Sequence, residues 1–153
     1  LCETNFPSDS ITNASELPMF GLGVSIRRGF SNYFNFRGRA RRSEYWFWIL
    51  FTILIGSIPI IGSLLIIALC IPSITVTTRR LHDIEKSGWW QLGVFIPWIF
   101  AIIIFYLGVS LMISFSVVAF SICISLVCFA WLTIKGDSGP NKYGPDPRFS
   151  ILE

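Results

Sequence analysis

Two long segments of the chain contain no charged residue and no histidine. They cover residues 45–78 and 87–134, so every charge lies before, between or after them. A transmembrane helix needs about 20 apolar residues, with about 17 as the lower limit. The second segment is long enough for two such helices, and the first for two short ones. Charged residues make up only 14% of the chain, against about 25% in typical soluble domains, so we predict an all-α membrane protein.

The first uncharged segment is too long for a single span. One helix over residues 45–78 would measure about 50 Å, well beyond a hydrocarbon core of about 30 Å. Pro59 and Gly62 interrupt the segment near its middle and favour a turn over residues 58–63. We predict helices over 44–58 and 64–78, both short enough to require local thinning of the bilayer or a partly re-entrant path.

The second uncharged segment divides near Gly108. We predict helices over 88–107 and 111–134, with a kink at Pro97 in the first of them. The expected fold therefore has four transmembrane helices arranged as two hairpins.

The distribution of basic residues predicts the orientation. With four spans, the segment before the first helix, the central loop and the tail share one side of the membrane, which the positive-inside rule makes cytoplasmic. Both termini are then cytoplasmic. A three-span arrangement would place Arg79, Arg80 and Lys86 on the opposite side. The three segments hold all twelve basic residues of the chain: Arg27, Arg28, Arg37, Arg39, Arg41, Arg42, Arg79, Arg80, Lys86, Lys135, Lys142 and Arg148.

The chain before the first span divides into two parts. Residues 1–18 are polar and acidic, lack the features of a signal peptide, and are predicted to be a disordered leader before a natural start at Met19. The membrane domain is then 19–148, and residues 135–153 form a cytoplasmic tail.

A short amphipathic segment follows this leader. Leu22, Ile26 and Phe30 share one face of a helical wheel, opposite Arg27 and Arg28. This pattern predicts a short helix lying on the membrane surface. A polar linker with scattered aromatic residues is the alternative.

Three polar motifs flank the predicted spans. They read FRGRARRSEYW at 36–46, RRLHDIEKSGWW at 79–90 and GPNKYGPDP at 139–147. Together they resemble, over about residues 19–148, a bacterial inner-membrane family of unknown function, DUF805, with YhaH-like members. The resemblance implies a multi-pass inner-membrane protein and brings no reaction, substrate or cofactor. The chain departs from the common pattern in its leader and in a longer apolar stretch between the second and third motifs.

The three motifs supply the candidate site, a cytoplasmic cap. Four-span topology brings them to one membrane face, where arginines would meet anionic lipid headgroups. Glu44 lies in the first turn of its helix, where the helix dipole favours a carboxylate. Ion pairs of Glu44 or Asp83 with Arg79 or Arg80 remain open at this stage. The candidate residues are Arg39, Arg42, Glu44, Arg79, Arg80, His82, Asp83, Asn141 and Asp146.

The cap residues do not form a recognisable catalytic or metal site. His82 beside Asp83 could indicate a general base, but adjacent residues on a helix do not face each other, and no nucleophile accompanies them. The cysteines have no C-x-x-C spacing and are interpreted as packing residues. We expect no enzymatic activity, no cofactor and no nucleic-acid partner.

Small polar residues on the last helix leave two functional classes open. Ser114, Ser121 and Ser125 fall on one face, where small side chains allow close helix packing, although a pore lining is the alternative. No ionisable residue lies in a predicted span, which disfavours ion-coupled transport. The sequence thus favours a structural protein that interacts with lipid, a membrane-protein partner or a second copy of itself. The alternative is a small transporter or channel component.

Overall fold

A computed structural model describes residues 21–148 of the protein, and within them it contains five α-helices and no β-strand. The predicted leader, Met19 and the last residues of the tail lie outside the described residues. The helices are α1 (Leu22–Ser31), α2 (Arg42–Gly56), α3 (Ile61–His82), α4 (Trp90–Tyr106) and α5 (Leu111–Thr133).

Two helices are long and apolar enough to cross a membrane. These are α3, over Leu64–His82, and α5, over Leu111–Thr133. Helix α4 is apolar but has only 17 residues. Most of the apolar surface of α5 is exposed in the isolated chain. An exposed apolar surface of this extent marks a protein that contacts lipid or another protein.

The helices pack as two hairpins, α2 with α3 and α4 with α5. The first turn is shorter than predicted, because α3 already begins at Ile61. Gly62 permits this tight turn, since a Cβ atom there would lie 2.4 Å from the carbonyl oxygen of Ile55. The second turn contains Gly108 with φ at +64°, a conformation that glycine adopts at little cost.

Helix α3 also ends later than predicted. Sequence analysis placed its end at residue 78 and assigned Arg79, Arg80 and His82 to a loop, but all three lie in the last turn of α3. The physical reason is that the side chains of Arg79 and Arg80 find protein partners there. Basic residues in the last turn also interact favourably with the helix dipole.

Pro72 lies inside α3 and removes one backbone hydrogen bond of the helix. Proline has no N–H, so the carbonyl of Ala68, four residues earlier, loses its normal donor. The hydroxyl of Tyr33 donates a hydrogen bond to this carbonyl. The segment after α1 is thereby connected to α3 at the point where the helix needs an external donor.

Helix α1 packs against the first hairpin through small residues. Ser25 and Gly29 are its buried residues, and a Cβ atom at Gly29 would lie 2.2 Å from the ring of Trp48. The Phe30 and Trp48 rings meet edge to face with centroids 5.4 Å apart. Phe30 itself remains 45% exposed. The apolar face expected from the helical wheel is therefore adjacent to the packed face and only partly covered.

The two hairpins approach each other near the charged end of the molecule. Gln91 of α4 donates a hydrogen bond of 2.7 Å to the hydroxyl of Thr78 in α3. Trp46 of α2 and Phe129 of α5 meet edge to face with centroids 5.6 Å apart. Between α3 and α4 the space is only partly filled, which leaves a cleft beside these contacts.

Candidate functional site

The three polar motifs come together at one end of the helices, where α3 and α5 end and α2 begins. Backbone hydrogen bonds join them directly. The amide of Ala40 donates to the carbonyl of Arg79 at 3.0 Å, and the amide of Asp137 donates to the carbonyl of Asp83 at 2.9 Å. This assembly of residues 36–44, 79–87 and 134–148 is called the cap below.

Asp83 is the central carboxylate of the cap. Its Oδ1 accepts a hydrogen bond from Arg39 Nε at 2.9 Å, and its Oδ2 pairs with Arg80. Asp83 is only 4% exposed, so both charge partners act with little solvent screening. Burial raises the pKa of the Asp83 carboxyl, while Arg80 and Arg39 act in the opposite direction. The residue thus depends on its two arginines to remain ionised.

The same two arginines also bind backbone carbonyls of the tail. Arg39 donates to the carbonyls of Gly139 and Asp137, both at 2.6 Å. Arg80 donates to the carbonyls of Leu132 and Ile134 at the end of α5. Carbonyls at a helix C-terminus lack intrahelical donors, so a guanidinium is a suitable partner for them. Arg80 therefore connects α3 to the second hairpin.

Gly136 lies directly against Asp83. A Cβ atom at Gly136 would be 1.9 Å from Asp83 Oδ2, which no side chain can tolerate without rearrangement. The absence of a side chain at this position therefore allows the tail to close over the buried ion pair.

Glu44 forms a second ion-pair cluster with Arg79 and Arg28. Glu44 has no exposed surface, and its Oε1 lies 2.9 Å from Arg79 Nη2. Arg28 of α1 lies 3.7 Å from the other oxygen. Among the described residues, neither oxygen of Glu44 accepts a hydrogen bond of good geometry. Charge attraction therefore dominates this contact.

His82 contacts the tail through its ring. Its Nδ1 lies 3.2 Å from the carbonyl oxygen of Gly38, and the ring stacks on Tyr143 with centroids 3.8 Å apart. Asn141 donates a hydrogen bond of 2.9 Å to the carbonyl of His82. The Asp83 carboxylate points instead to Arg39 and Arg80. The ring of His82 therefore serves to hold the tail against the end of α3.

Asp146 stabilises the tail from within. Its carboxylate accepts hydrogen bonds from the Gly139 amide at 3.0 Å and from the amide and side chain of Arg148. Burial opposes ionisation, but these donors lower the pKa of Asp146 from 3.8 to about 2.

The cap differs in one respect from the surface cluster that the sequence suggested. The arginines of the cap were expected to present positive charge that its carboxylates neutralise only in part, but the side chains of Arg39, Arg79 and Arg80 are buried against acidic groups and carbonyls. Arg42 is exposed. These three arginines are buried because carboxylates lie opposite them, and tertiary contacts decide where those carboxylates lie.

Sequence analysis also missed several contacts of the cap. Arg41 donates to the carbonyl of Pro147 at 2.6 Å, Arg28 reaches Glu44 from another helix, and Gly136 allows the tail to pack. Arg41 lies within the first polar motif, so the motif itself was a signal for it. Nothing in the spacing of Arg28 or Gly136 indicates these contacts.

Over residues 21–148 the structure is helical, with exposed apolar helices and with ion pairs gathered at one end, as in small helical membrane proteins. Comparison with known proteins identifies its family. The chain belongs to the family described as protein of unknown function DUF805, whose profile matches residues 33–62 and 55–145. The resemblance drawn from the three motifs is thereby confirmed.

Similar curated proteins come from Escherichia coli K12. The chain is 32% identical over 130 residues to the inner membrane protein YhaI, covering 77% of this chain and 90% of the relative. It is 34% identical over 133 residues to the inner membrane protein YhaH, covering 76% and 90%. The uncharacterized protein YiiR is 28% identical over 133 residues, covering 75% and 87%. No solved structure matches the chain.

Proposed function

We propose that the protein is a four-span protein of the bacterial inner membrane, with the cap and both termini in the cytoplasm. The observation that carries this proposal is the separation of charge along the helices. The cap holds the ion pairs, whereas the turns at 57–60 and 107–110 contain no charged residue. Loops rich in Lys and Arg remain on the cytoplasmic side during insertion, and turns without them cross readily.

Helix length fits this arrangement with some adjustment of the bilayer. Helix α2 has 15 residues and therefore measures about 22 Å, and α4 with 17 residues measures about 25 Å. Both are shorter than a hydrocarbon core of about 30 Å. Local thinning of the bilayer accommodates such a mismatch at modest cost. Helix α1 lies along the cytoplasmic interface, with Arg27 and part of its apolar face exposed.

We further propose that the protein acts by binding lipid or a membrane partner and not by catalysis. The support is that the candidate groups of the cap already have structural partners. Asp83 and Glu44 are held by arginines, and the His82 ring is stacked on Tyr143. Acid–base catalysis needs a group that can reach a substrate and exchange a proton with it. The ion pairs serve instead to hold the two hairpins and the tail together.

A transporter or channel component is the second candidate, and one observation favours it. A cavity of about 520 Å³ beside α2, α3 and α4 is lined partly by Thr52, Ser73, Thr77 and Gln91. Polar side chains at membrane depth often line a solute path. Flux of small solutes into liposomes that contain the purified protein, above that into empty liposomes, would favour this candidate.

The topology is tested by single-cysteine labelling in spheroplasts with a membrane-impermeant maleimide. After replacement of the native cysteines, Lys142→Cys in the cap should react only after the membrane is opened. Ser57→Cys and Leu107→Cys, one in each opposite turn, should react in intact spheroplasts, because both positions are exposed. Labelling of Lys142→Cys in intact spheroplasts would overturn the proposed orientation.

A further inference from the structure

A cavity of about 560 Å³ lies between the end of α3 and the start of α4, directly beside the cap. Its volume falls in the range of ligand sites in proteins, about 300 to 1,000 Å³. Gly88 keeps this region narrow at one wall, since a Cβ atom there would be 2.4 Å from Thr78 Cγ2. The cavity is therefore a defined cleft between the two hairpins.

The wall of this cavity changes from polar to apolar along its length. His82, Ser87 and Tyr143 line the end near the cap, and Ile74, Leu92 and Phe95 line the part between the helices. Trp89, which is 77% exposed, also lines it and is a residue type that favours the membrane interface. This gradient matches an amphiphile whose polar group stays at the interface.

Two exposed basic residues, Lys142 and Arg37, are chain neighbours of residues that line the cavity. Lys142 Nζ lies 5.0 Å from the centroid of the Tyr143 ring, and Tyr143 lines the cavity, so the ammonium group is next to a lining residue. Arg37 is exposed and follows Phe36, another lining residue. Among the described residues that line the cavity, none is Asp or Glu. Basic side chains beside a pocket between membrane helices on the cytoplasmic side attract an anionic headgroup.

The apolar part of the cavity continues along the helices. Gln91 and Phe95 line this cavity and also the two neighbouring cavities, of about 230 Å³ and 520 Å³, so the three spaces meet at the same side chains. The second of these is lined by Ile53 and Leu69, which extends the apolar surface away from the cap. A chain longer than the first cavity can therefore follow the cleft.

We propose that this cleft binds one anionic phospholipid of the cytoplasmic leaflet, with its phosphate at Lys142 and an acyl chain against Leu92 and Phe95. The inference rests on the proposed function for the choice of leaflet, but the cleft itself is defined by the packing of α3 and α4. The lipid would fill space that the two hairpins leave between them. It would thereby connect them beyond the cap.

The test measures lipid retained by purified protein in native mass spectrometry, after equilibration with equal amounts of phosphatidylglycerol and phosphatidylcholine. The protein should retain one phosphatidylglycerol in preference to phosphatidylcholine. Lys142→Gln should weaken that preference about fivefold, the effect of about 1 kcal/mol for one basic residue near a membrane surface. Lys135→Gln is the matched control: Lys135 is also exposed, but neither of its chain neighbours lines the cavity, so this variant should leave the preference unchanged.

A second pair of variants tests the apolar part. Leu92→Trp should displace the lipid because the larger ring occupies the cleft, whereas Leu54→Trp, at an exposed leucine of α2 outside these cavities, should not. Each variant is compared only if it is monodisperse and melts near the parent. Soluble glycerol phosphate should not displace the lipid, since it lacks the acyl chain.

Four results would overturn the proposal: equal retention of both lipids, equal loss in the two lysine variants, no effect of Leu92→Trp, or displacement by glycerol phosphate. Failure of the proposed topology is distinguishable, because it appears in the maleimide labelling. In that case the headgroup preference and the variant effects would persist, and only the leaflet would change.

Discussion

The contact between Glu44 and Arg79 gives the sharpest test of the cap. The carboxylate has no exposed surface, the Arg79 side chain is 5% exposed, and their nearest atoms are 2.9 Å apart. At an effective dielectric constant of about 20, that distance corresponds to about 6 kcal/mol of attraction before the cost of removing both charges from water. Removal of one partner leaves the other charge buried.

We expect Arg79→Met alone to lower the free energy of unfolding by about 3 to 5 kcal/mol, the usual cost of breaking a buried ion pair. Arg28 reduces the loss only in part, because it lies 3.7 Å from Glu44 and its side chain is 43% exposed. The loss in free energy of unfolding for Glu44→Leu alone should be similar, since Arg79 then lacks its carboxylate partner. The double variant should recover much of this loss, because two packed apolar residues often replace a buried ion pair without net cost.

The assay is unfolding by sodium dodecyl sulfate in mixed micelles, followed by tryptophan fluorescence. A double-mutant cycle should give a coupling energy of about 3 kcal/mol or more, at or above the upper end of the usual range for residues in contact, because the double variant should lose less stability than either single one. Arg42→Met, at an exposed arginine of the same motif, is the control and should change stability by about 0.5 kcal/mol or less. Additive effects within about 0.5 kcal/mol, or single losses below about 1 kcal/mol, would refute the reasoning.

Three further predictions concern the tail and α5. Gly136→Ala should destabilise the protein by about 2 kcal/mol or more in the same assay, because its methyl group would lie 1.9 Å from a carboxylate oxygen of Asp83. The control is Gly93→Ala, which has open space around it and should be neutral or stabilising. The lowered pKa of Asp146, about 2 instead of 3.8, means that this carboxylate contributes about 2 kcal/mol to the free energy of unfolding above pH 4 and loses that contribution as the pH falls toward 2. Asp146→Asn should therefore make stability less dependent on pH between pH 4 and 2. Ser121→Leu should lower the melting temperature, because Ser121 has no exposed surface, while Ser116→Leu at an exposed position should not. Equal melting temperatures of the two variants would contradict helix packing by the face of α5 that contains Ser121.

The family and the all-helical fold follow from the sequence with little help from the structure. An uncharged stretch such as 87–134 has few stable folds other than apolar helices, because a backbone in lipid must satisfy its own hydrogen bonds. The gathering of basic residues in three segments likewise predicts that these segments share one side of the membrane. Both inferences need only local composition and the order of segments along the chain.

Helix ends were harder to predict, as α3 illustrates. Sequence reasoning ended this helix at residue 78 because charges follow, but it continues to His82. The extra turn is stable because carboxylates neutralise both of its arginines. Glu44 of α2 pairs with Arg79, and Asp83, directly after the helix, pairs with Arg80. A rule that ends an apolar helix at its first charge cannot include such partners.

The sequence determined which residues reach the cap, and only the tertiary structure decided how they pair. Connectivity places both carboxylates and all the arginines at one end, but Glu44 takes Arg79 whereas Asp83 takes Arg39 and Arg80. Which carboxylate pairs with which arginine depends on side-chain directions and on close approaches between segments, and neither can be read from the spacing of residues along the sequence. Among them is the room that Gly136 leaves for the Asp83 carboxylate.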